Sequence, residues 1–199
     1  LSLAKNLINK KINVHIYHKK IINKLSLNRT IGISKNNLEF FKKEILLIPK
    51  TINWEIKKIE IYTEKLKKNK ILNFEKNNKI LFYMLKNDER YKSLNNKLIK
   101  NKFFKKIIIK KKNFYEKLLK KNDYDLIINC DQNNPISKKY FIKKINKDYK
   151  SSAYTTIIEH EKLENNSAIQ IFTGLGPIAF LPISSIKTSV VLSLDVKHK

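Results

Sequence analysis

The spacing of apolar residues switches repeatedly along the chain between the 3.6-residue period of a helix and the two-residue period of a strand. Residues 3–8 follow the helical period, and the alternating segment 12–16 comes directly after them. Helical spacing returns at 38–45, behind a candidate N-cap at Ser34, and again at 91–98. The pattern therefore predicts helices and strands mixed along the whole chain.

Two long regions show the alternation that is typical of antiparallel strands, namely 51–85 and the residues from Ser151 onward. The order of the elements predicts an interleaved architecture. One α/β layer would take residues 1–50 and about 86–147, and one antiparallel sheet would take about 51–85 and 148–199. We therefore expect a mixed α/β fold in which the chain leaves one layer and returns to it.

Segment 124–131 is a continuous apolar run that ends in Asp131, a pattern typical of a strand buried on both faces of a parallel sheet. Cys130 is then expected to be a small buried hydrophobe. Asn134 and Pro135 predict the N-cap and first turn of a following helix. Ligands bind at the carboxyl ends of strands in such sheets, so Asp131 either accepts hydrogen bonds from a ligand or caps the helix. Its position alone does not separate these alternatives.

Charge is the unusual feature of the composition, because 43 Lys and Arg against 17 Asp and Glu leave a net charge of +26. Lysines are spread along the chain, and Arg29 and Arg90 are the only arginines. A dispersed, arginine-poor charge favours a solvated surface produced by compositional drift over a nucleic-acid site, so no nucleic-acid partner is expected. An anionic membrane surface is the other partner that such a charge could attract.

Neither the cysteine count nor the termini indicate secretion. The single cysteine excludes an internal disulfide, and with no secretion signal we expect a cytoplasmic protein. No apolar run approaches the ~20 residues needed to span a bilayer. The chain starts without Met, already in helical rhythm, and ends shortly after a strand-like run. These ends predict a fragment of a longer protein.

Histidines offer few candidate ligands. His18 ends the strand after the first helix, where a dinucleotide-binding βαβ unit usually carries an acid that bonds a ribose hydroxyl. His18 could donate or accept such a bond, although a lone histidine is more often a surface residue. His15 and His18 are three apart on a strand and face opposite sides, so we expect no metal site from them. No nucleophile–base set, P-loop or zinc spacing occurs, so a bound cofactor would have to supply any chemistry.

Segment 174–184, GLGPIAFLPIS, holds two of the three glycines and two of the four prolines in the chain. Its place between two strand-like runs predicts a rigid turn, which an ordinary hairpin would also explain. Drift toward Lys, Asn and Ile should have eroded dispensable glycine and proline. Their retention here indicates that backbone shape matters at this turn.

Residues 168–184 and the strand-like 188–193 together resemble the middle-domain signature of the ubiquinone-biosynthesis flavin hydroxylases. The residues that match this signature directly are Phe172, Gly176, Pro177, Ala179, Leu181 and Pro182. Leu192 stands where the family usually has Trp.

Other segments resemble the same family in the same order. Residues 1–20 resemble the helix and second strand that follow the family's GxGxxG turn, and 29–34 resemble its flavin-approaching segment, with Arg29 as the match. Residues 80–88 and 125–139 resemble two further motifs; the matching residues there are Asn87, Asp131 and Asn134. The resemblance covers the whole chain, and the Gly-Pro motif is its most specific part.

This resemblance implies the fold of the p-hydroxybenzoate hydroxylase group, in which a Rossmann-like FAD-binding layer is interleaved with an antiparallel β-sheet substrate domain. It implies a monooxygenase in which NAD(P)H reduces FAD and one oxygen atom of O2 enters the aromatic ring of a polyprenylated ubiquinone precursor. The flavin carries the chemistry, so no catalytic side chain is assigned. The implied cofactor-binding residues are Arg29, Asp131 and His18, and the implied substrate-domain motif residues are Gly176, Pro177 and Pro182.

The polycationic surface and the polyprenyl substrate that the resemblance implies together predict peripheral contact with the inner face of an anionic membrane, or with a complex of ubiquinone-pathway enzymes. Departures from the family pattern concern the flavin motifs: Gln132 and Pro135 replace a Gly and a Ser, Lys138 replaces an Arg, and His18 replaces the acid. Two alternatives therefore stay open. One is another flavin-dependent aromatic hydroxylase with a soluble substrate, and the other is a basic protein that binds nucleic acid or a membrane surface without catalysis.

Overall fold

Helices and strands alternate throughout the computed structural model, which describes residues 1–19, 29–66, 70–110, 113–131, 133–141, 145 and 147–195. Gln132 therefore lies outside the described residues. The helices are α1 (Ser2–Asn9), α2 (Lys35–Glu44), α3 (Asn87–Ile99), α4 (Phe114–Lys120) and α5 (Pro135–Tyr140). The strands are β1 (Val14–His18), β2 (Thr30–Ser34), β3 (Asn53–Ile56), β4 (Lys58–Thr63), β5 (Lys70–Glu75), β6 (Phe82–Lys86), β7 (Phe104–Ile108), β8 (Ser151–Glu159), β9 (Ser167–Thr173), β10 (Gly176–Ser184) and β11 (Lys187–Asp195).

The chain forms two compact units. Unit 1 comprises Leu1–Val14, Asn23–Lys105 and Lys150–Lys199, and unit 2 comprises His15–Ile22 and Lys106–Tyr149. The mixed α/β fold expected from the sequence is confirmed. The boundaries predicted for an FAD-binding layer and a substrate sheet stay a prediction.

One antiparallel sheet was expected from residues 51–85 and 148–199, but their strands belong to two separate sheets of unit 1. The larger sheet has the order β5-β4-β9-β10-β11-β8 and is antiparallel except between β4 and β9. The smaller sheet has the order β2-β6-β3 and is antiparallel. Segment 51–85 therefore contributes strands to both sheets. The parallel pair joins strands about a hundred residues apart, where no tight hairpin imposes an antiparallel direction.

Strand β6 lies between two hydrophobic clusters. Leu85, which is 1% exposed, packs with core residues of α2 and α3. Met84, which is 3% exposed, packs with Ile56 and with Ala168 and Ile183 of the larger sheet. Successive side chains of a strand point to opposite faces, so the smaller sheet is covered on both sides. It forms the middle layer of unit 1.

Two helix starts follow the capping pattern expected from the sequence. The Ser34 hydroxyl accepts a hydrogen bond from the amide of Asn37 at the start of α2. The Asn134 side chain accepts one from the amide of Ser137, and Pro135 occupies the first turn of α5. Each cap satisfies a backbone donor that has no partner within the helix.

The expected buried strand at 124–131 is wrong, because residues 126–131 form no strand. Leu126 is 74% exposed and Ile128 is 49% exposed, and Cys130 is also exposed rather than buried. Among the described residues of unit 2, β1 and β7 pair only with each other, so this segment has no strand partner. The Asn129 side chain instead accepts local hydrogen bonds from the Asp131 amide and the Asn134 side chain. Such local bonds compete with the backbone hydrogen bonds that would pair this segment with another strand.

Glu60 of β4 is an acidic side chain buried in the larger sheet, with an exposed fraction of 8%. Lys70 and Lys58 approach its Oε1, the latter at 3.1 Å, and Tyr62 donates to its Oε2 at 2.8 Å. Burial alone would raise the pKa of Glu60. The hydrogen bonds from these three donors outweigh burial and lower the pKa from 4.5 to about 2.

We expect Glu60 to make the fold more sensitive to acid. Its folded-state pKa is depressed, so its charge stabilises the fold above about pH 4.5, and this contribution is lost as the pH falls toward about 2. Glu60→Gln should lower the free energy of unfolding at neutral pH by up to roughly 3 kcal/mol and flatten its decrease in that acid range. Urea unfolding at a series of pH values measures both effects.

Glu75→Gln is the matched control, because Glu75 also pairs with Lys58 but its side chain is 42% exposed. This variant should keep the acid sensitivity of the unaltered chain. An unchanged pH dependence in Glu60→Gln would contradict the assignment.

Candidate functional site

The Gly-Pro motif forms the hairpin between β9 and β10. Gly176 has φ +134°, and a Cβ atom there would lie 2.0 Å from the backbone oxygen of Ser193 on β11. Only glycine fits both this backbone angle and this close approach of two strands. The Thr173 hydroxyl donates to the Gly176 carbonyl at 2.6 Å and closes the turn. The structure therefore supplies a physical reason for the retained glycine.

Pro182 occupies a central strand, where proline is normally disfavoured because it has no amide hydrogen. It lies at a bulge, since the pairing of β10 with β11 shifts register between Pro182 and Ser184. Its side chain is among the most buried in the described chain. A bulge tolerates the missing donor, and the proline holds the bent strand in one shape. The assignment of Gly176, Pro177 and Pro182 to a substrate-domain motif stays a prediction.

Two segments that resemble family motifs meet where β6 ends. The amide of Asn87 donates to the carbonyl of Arg29 at 3.0 Å, next to the paired residues Thr30 and Lys86. Arg29 itself is exposed. The Thr30 hydroxyl also donates to Ser189, a buried residue of β11, at 3.1 Å. This contact ties the smaller sheet to the larger one at the same place.

Arg90 is a residue that the sequence reasoning did not single out. Its guanidinium donates to the Asn87 side chain at 3.1 Å, and its Nε is buried with no hydrogen-bond partner among the described residues. Leaving a buried charged donor unpaired costs about 1–3 kcal/mol or more. Both arginines of the chain thus lie beside Asn87. Arginine is as scarce in this sequence as glycine and proline, and that scarcity is the signal by which Arg90 could have been found.

A pocket with a volume of about 380 Å³ opens beside this junction in unit 1. One wall comes from the end of β6 and the first turn of α3, and the other comes from β8, β10 and β11. The lining residues are Lys86, Asp88, Glu89, Ile157, Glu159, Ile183 and Lys187. Charged side chains therefore dominate a pocket whose remaining surface is two isoleucines.

Ion pairs hold the charged side chains of the pocket. Lys86 Nζ lies 3.1 Å from Glu89 Oε1, and Lys187 binds Glu159 across the β8–β11 pair. The hydrogen bond from Lys187 lowers the pKa of Glu159. Asp88 pairs at 3.5 Å with a lysine outside the lining. Each wall thus presents a lysine and at least one carboxylate.

The other predicted site residues, His18 and Asp131, belong to unit 2. His18 Nδ1 donates to the carbonyl of Lys19 at 2.9 Å. The Asp131 side chain accepts from the amide of Asn133 at 2.9 Å in a local turn. Asn134, and not Asp131, caps α5, so the capping alternative for Asp131 is wrong. Ligand binding by both residues stays a prediction.

His15 belongs to a group of aromatic side chains. Its Nδ1 lies 2.5 Å from the Tyr124 hydroxyl, which also bonds Tyr17. Burial, followed by the hydrogen bond with Tyr17, raises the pKa of Tyr124 to about 12, so this phenol is neutral at physiological pH. In the parts of the chain that the structure covers, no three His, Cys, Asp or Glu residues are grouped as metal ligands.

No protein-family profile and no curated protein matches the sequence. Solved structures do match, and among them is PqsL of Pseudomonas aeruginosa, described as "a probable FAD-dependent monooxygenase", at 10% identity and a TM-score of 0.67. A complex of PqsL with 2-aminobenzoylacetate has 9% identity and a TM-score of 0.67, and a PqsL mutant has 9% and 0.68. Each match covers 99% of this chain and 58% of PqsL.

These similarities show the fold. Over nearly its whole length the chain has the fold of PqsL, and it spans 58% of the length of that protein. Within the described residues, none of the helices combines the length and the apolar composition required to cross a membrane.

Replacement of Gly176 should destabilise unit 1 strongly. Gly176→Ala forces a positive φ on a residue with a Cβ and drives that atom into backbone, which we expect to cost roughly 3 kcal/mol or more. Gly174→Ala is the matched control in the same turn, because its Cβ would meet only a Glu64 carboxylate oxygen at 3.3 Å. Urea unfolding of the two variants tests this. Equal losses would show that the close approach to Ser193 is not limiting.

Proposed function

We propose that the protein containing this chain is an FAD-dependent monooxygenase that hydroxylates an aromatic ring with NAD(P)H and O2. The observation that carries the proposal is the fold, which matches PqsL over 99% of this chain. The ordered resemblance of five segments to flavin hydroxylases supports it independently. Because the chain spans 58% of PqsL, the activity belongs to the whole protein.

The donor set of the chain fits parts of a flavin dinucleotide. Arg90 keeps a buried guanidinium nitrogen without a partner in the described structure, and the exposed Arg29 lies one hydrogen bond from Asn87. Guanidinium groups suit the diphosphate of FAD, because they present paired donors to phosphate oxygens. Asp131 has an exposed carboxylate of which one oxygen holds the local turn, and the other suits a ribose hydroxyl.

FAD, when bound, supplies the transfer of electrons from NAD(P)H and the activation of O2. The residues of this chain would bind and orient it. Arg29 and Arg90 would neutralise its phosphates, and Asp131 and His18 would accept or donate hydrogen bonds to hydroxyl groups. The strand β10, with Gly176, Pro177 and the bulge at Pro182, would keep the substrate sheet rigid.

Two substrate classes are supported by different observations. The resemblance to ubiquinone-biosynthesis hydroxylases supports a polyprenylated precursor. The five charged residues that line the pocket favour a soluble aromatic substrate instead. PqsL itself has been solved in complex with the small aromatic compound 2-aminobenzoylacetate. Comparing NAD(P)H oxidation with a prenylated phenol and with soluble aromatic acids separates the two classes.

The whole protein should purify with bound FAD and oxidise NAD(P)H in the presence of O2. We expect Asp131→Asn and Arg90→Met each to weaken FAD binding about tenfold or more, because each removes a charge-assisted hydrogen bond. Flavin absorbance after dialysis against known FAD concentrations gives the dissociation constant.

Asp131→Asn keeps the oxygen that accepts from the Asn133 amide, so the turn survives and the effect isolates the second carboxylate oxygen. Lys42→Met on the exposed surface of α2 serves as the control and should bind FAD normally. Colourless protein that ignores added FAD would refute the flavoenzyme. Normal FAD affinity in both variants would refute the assignment of Asp131 and Arg90 to FAD binding, but it would not contradict the proposal that the protein is a flavoenzyme.

We also expect peripheral attachment to the inner face of an anionic membrane, where enzymes of a ubiquinone pathway would be neighbours. The support is the net charge of +26 and the exposed Tyr140 and Phe141 beside Lys138 and Lys139 in unit 2. Exposed aromatic groups beside lysines suit the lipid interface.

The protein should cosediment with vesicles that contain phosphatidylserine and dissociate as the salt concentration rises. Neutral phosphatidylcholine vesicles are the control and should bind little. Equal binding to both vesicle types, or binding unaffected by salt, would contradict electrostatic attachment. Tighter binding to a DNA oligonucleotide than to the anionic vesicles would favour the non-catalytic nucleic-acid alternative.

A further inference from the structure

The pocket of unit 1 contains more negative than positive side chains, in a chain with a large excess of lysine. We infer that this pocket binds the ring of a small aromatic zwitterion, a molecule that carries both a carboxylate and an ammonium group. The inference rests on the proposed aromatic hydroxylation and names its substrate class.

Apolar contacts are confined to one part of the pocket. Ile183 is 7% exposed and belongs to the core cluster that also contains Met84, and Ile157 packs against the same cluster. Both branched side chains are held by this cluster, and they supply the apolar contacts that the pocket offers to a ring. The cavity volume of about 380 Å³ is near the lower end of the range for ligand sites, which suits one ring with short substituents.

Both walls of the pocket carry charged side chains that could pair with the charged groups of the ligand. Lys187 and Glu159 form a pair on the sheet wall, and Lys86 and Glu89 form a pair on the helix wall. The lysine side chains are 36% and 32% exposed, so water already screens these pairs. Screened pairs contribute little to stability and can exchange partners at small cost. A ligand carboxylate can therefore join a lysine while its ammonium group joins a carboxylate.

Ligands of other charge types fit less well. A carboxylate alone would approach three acidic side chains, and an ammonium alone would approach two lysines. A prenyl chain would remove water from five charged groups without offering a partner to any of them. A prenyl tail would thus have to lie elsewhere, and the pocket itself selects a ligand with both charges.

Three ligands with one ring and matched size test the inference: para-(aminomethyl)benzoate, para-methylbenzoate and para-methylbenzylamine. We expect the zwitterion to bind the full chain at least fivefold more tightly than either singly charged ligand. Calorimetric or ligand-observed NMR titration gives the three dissociation constants.

Two variants assign the charges. Lys187→Met should weaken binding of the zwitterion and of para-methylbenzoate but not of para-methylbenzylamine, and Glu159→Gln should show the reverse selectivity. Lys42→Met and Glu39→Gln, both on the exposed surface of α2, are the matched controls and should leave all three affinities unchanged. The double exchange Lys187→Glu with Glu159→Lys restores both charges and should restore the preference for the zwitterion.

Equal affinity for the three ligands, or a preference unaffected by Lys187→Met and Glu159→Gln, would overturn the inference. These readings do not depend on flavin. A yellow, active protein without preference for the zwitterion would refute this inference alone, and a colourless protein with that preference would refute the flavoenzyme alone.

Discussion

The burial of β6 on both faces is the constraint on which the rest of unit 1 depends. Leu85 points into the helical cluster and Met84 points toward the larger sheet, and both are almost fully buried. A strand covered on both faces cannot slip by one residue without exchanging the two environments. The end of β6 is therefore fixed, and with it the start of α3 at Asn87. The contacts of Arg29 and Arg90 with Asn87 lie here, and the neighbouring residues form one wall of the pocket.

The rare residues of this lysine-rich chain are informative. Only two of the 43 basic residues are arginines, and both contact Asn87, Arg29 through its backbone carbonyl and Arg90 through its guanidinium. At Arg90 a lysine would supply the same charge but not the planar set of paired donors. Glycine at 176 has the same status, because its backbone angle and its approach to Ser193 exclude a Cβ atom. Gly176 and Arg90 thus occupy places where the local geometry suits the rare residue better than a common one.

Local sequence patterns predicted most helices and strands. The features that they did not predict depend on pairing between strands far apart in the sequence. The caps at Ser34 and Asn134 and the hairpin at Gly176 follow from short-range chemistry. The division of segment 51–85 between two sheets depends on partners far along the chain, and alternation alone carries no such information. The apolar run before Asp131 predicted a buried strand, but local hydrogen bonds of Asn129 prevailed where no strand partner lies beside it. Neither the pocket nor the position of Arg90 follows from any single segment.

The balance of charges in the pocket also differs from the lysine-rich composition of the chain. A random group of five charged residues from this chain would consist mostly of lysines, and such a group would repel its own members and attract any anion. In the pocket, carboxylates outnumber lysines, and each lysine is paired with one of them. The Lys187–Glu159 pair arises from direct cross-strand register and the Lys86–Glu89 pair from helical spacing, so the fold sets the two pairs independently. Their convergence on one pocket, which two isoleucines also line, provides two charges of each sign around a space of about 380 Å³. That arrangement opposes entry of a long apolar chain and favours a compact polar ligand.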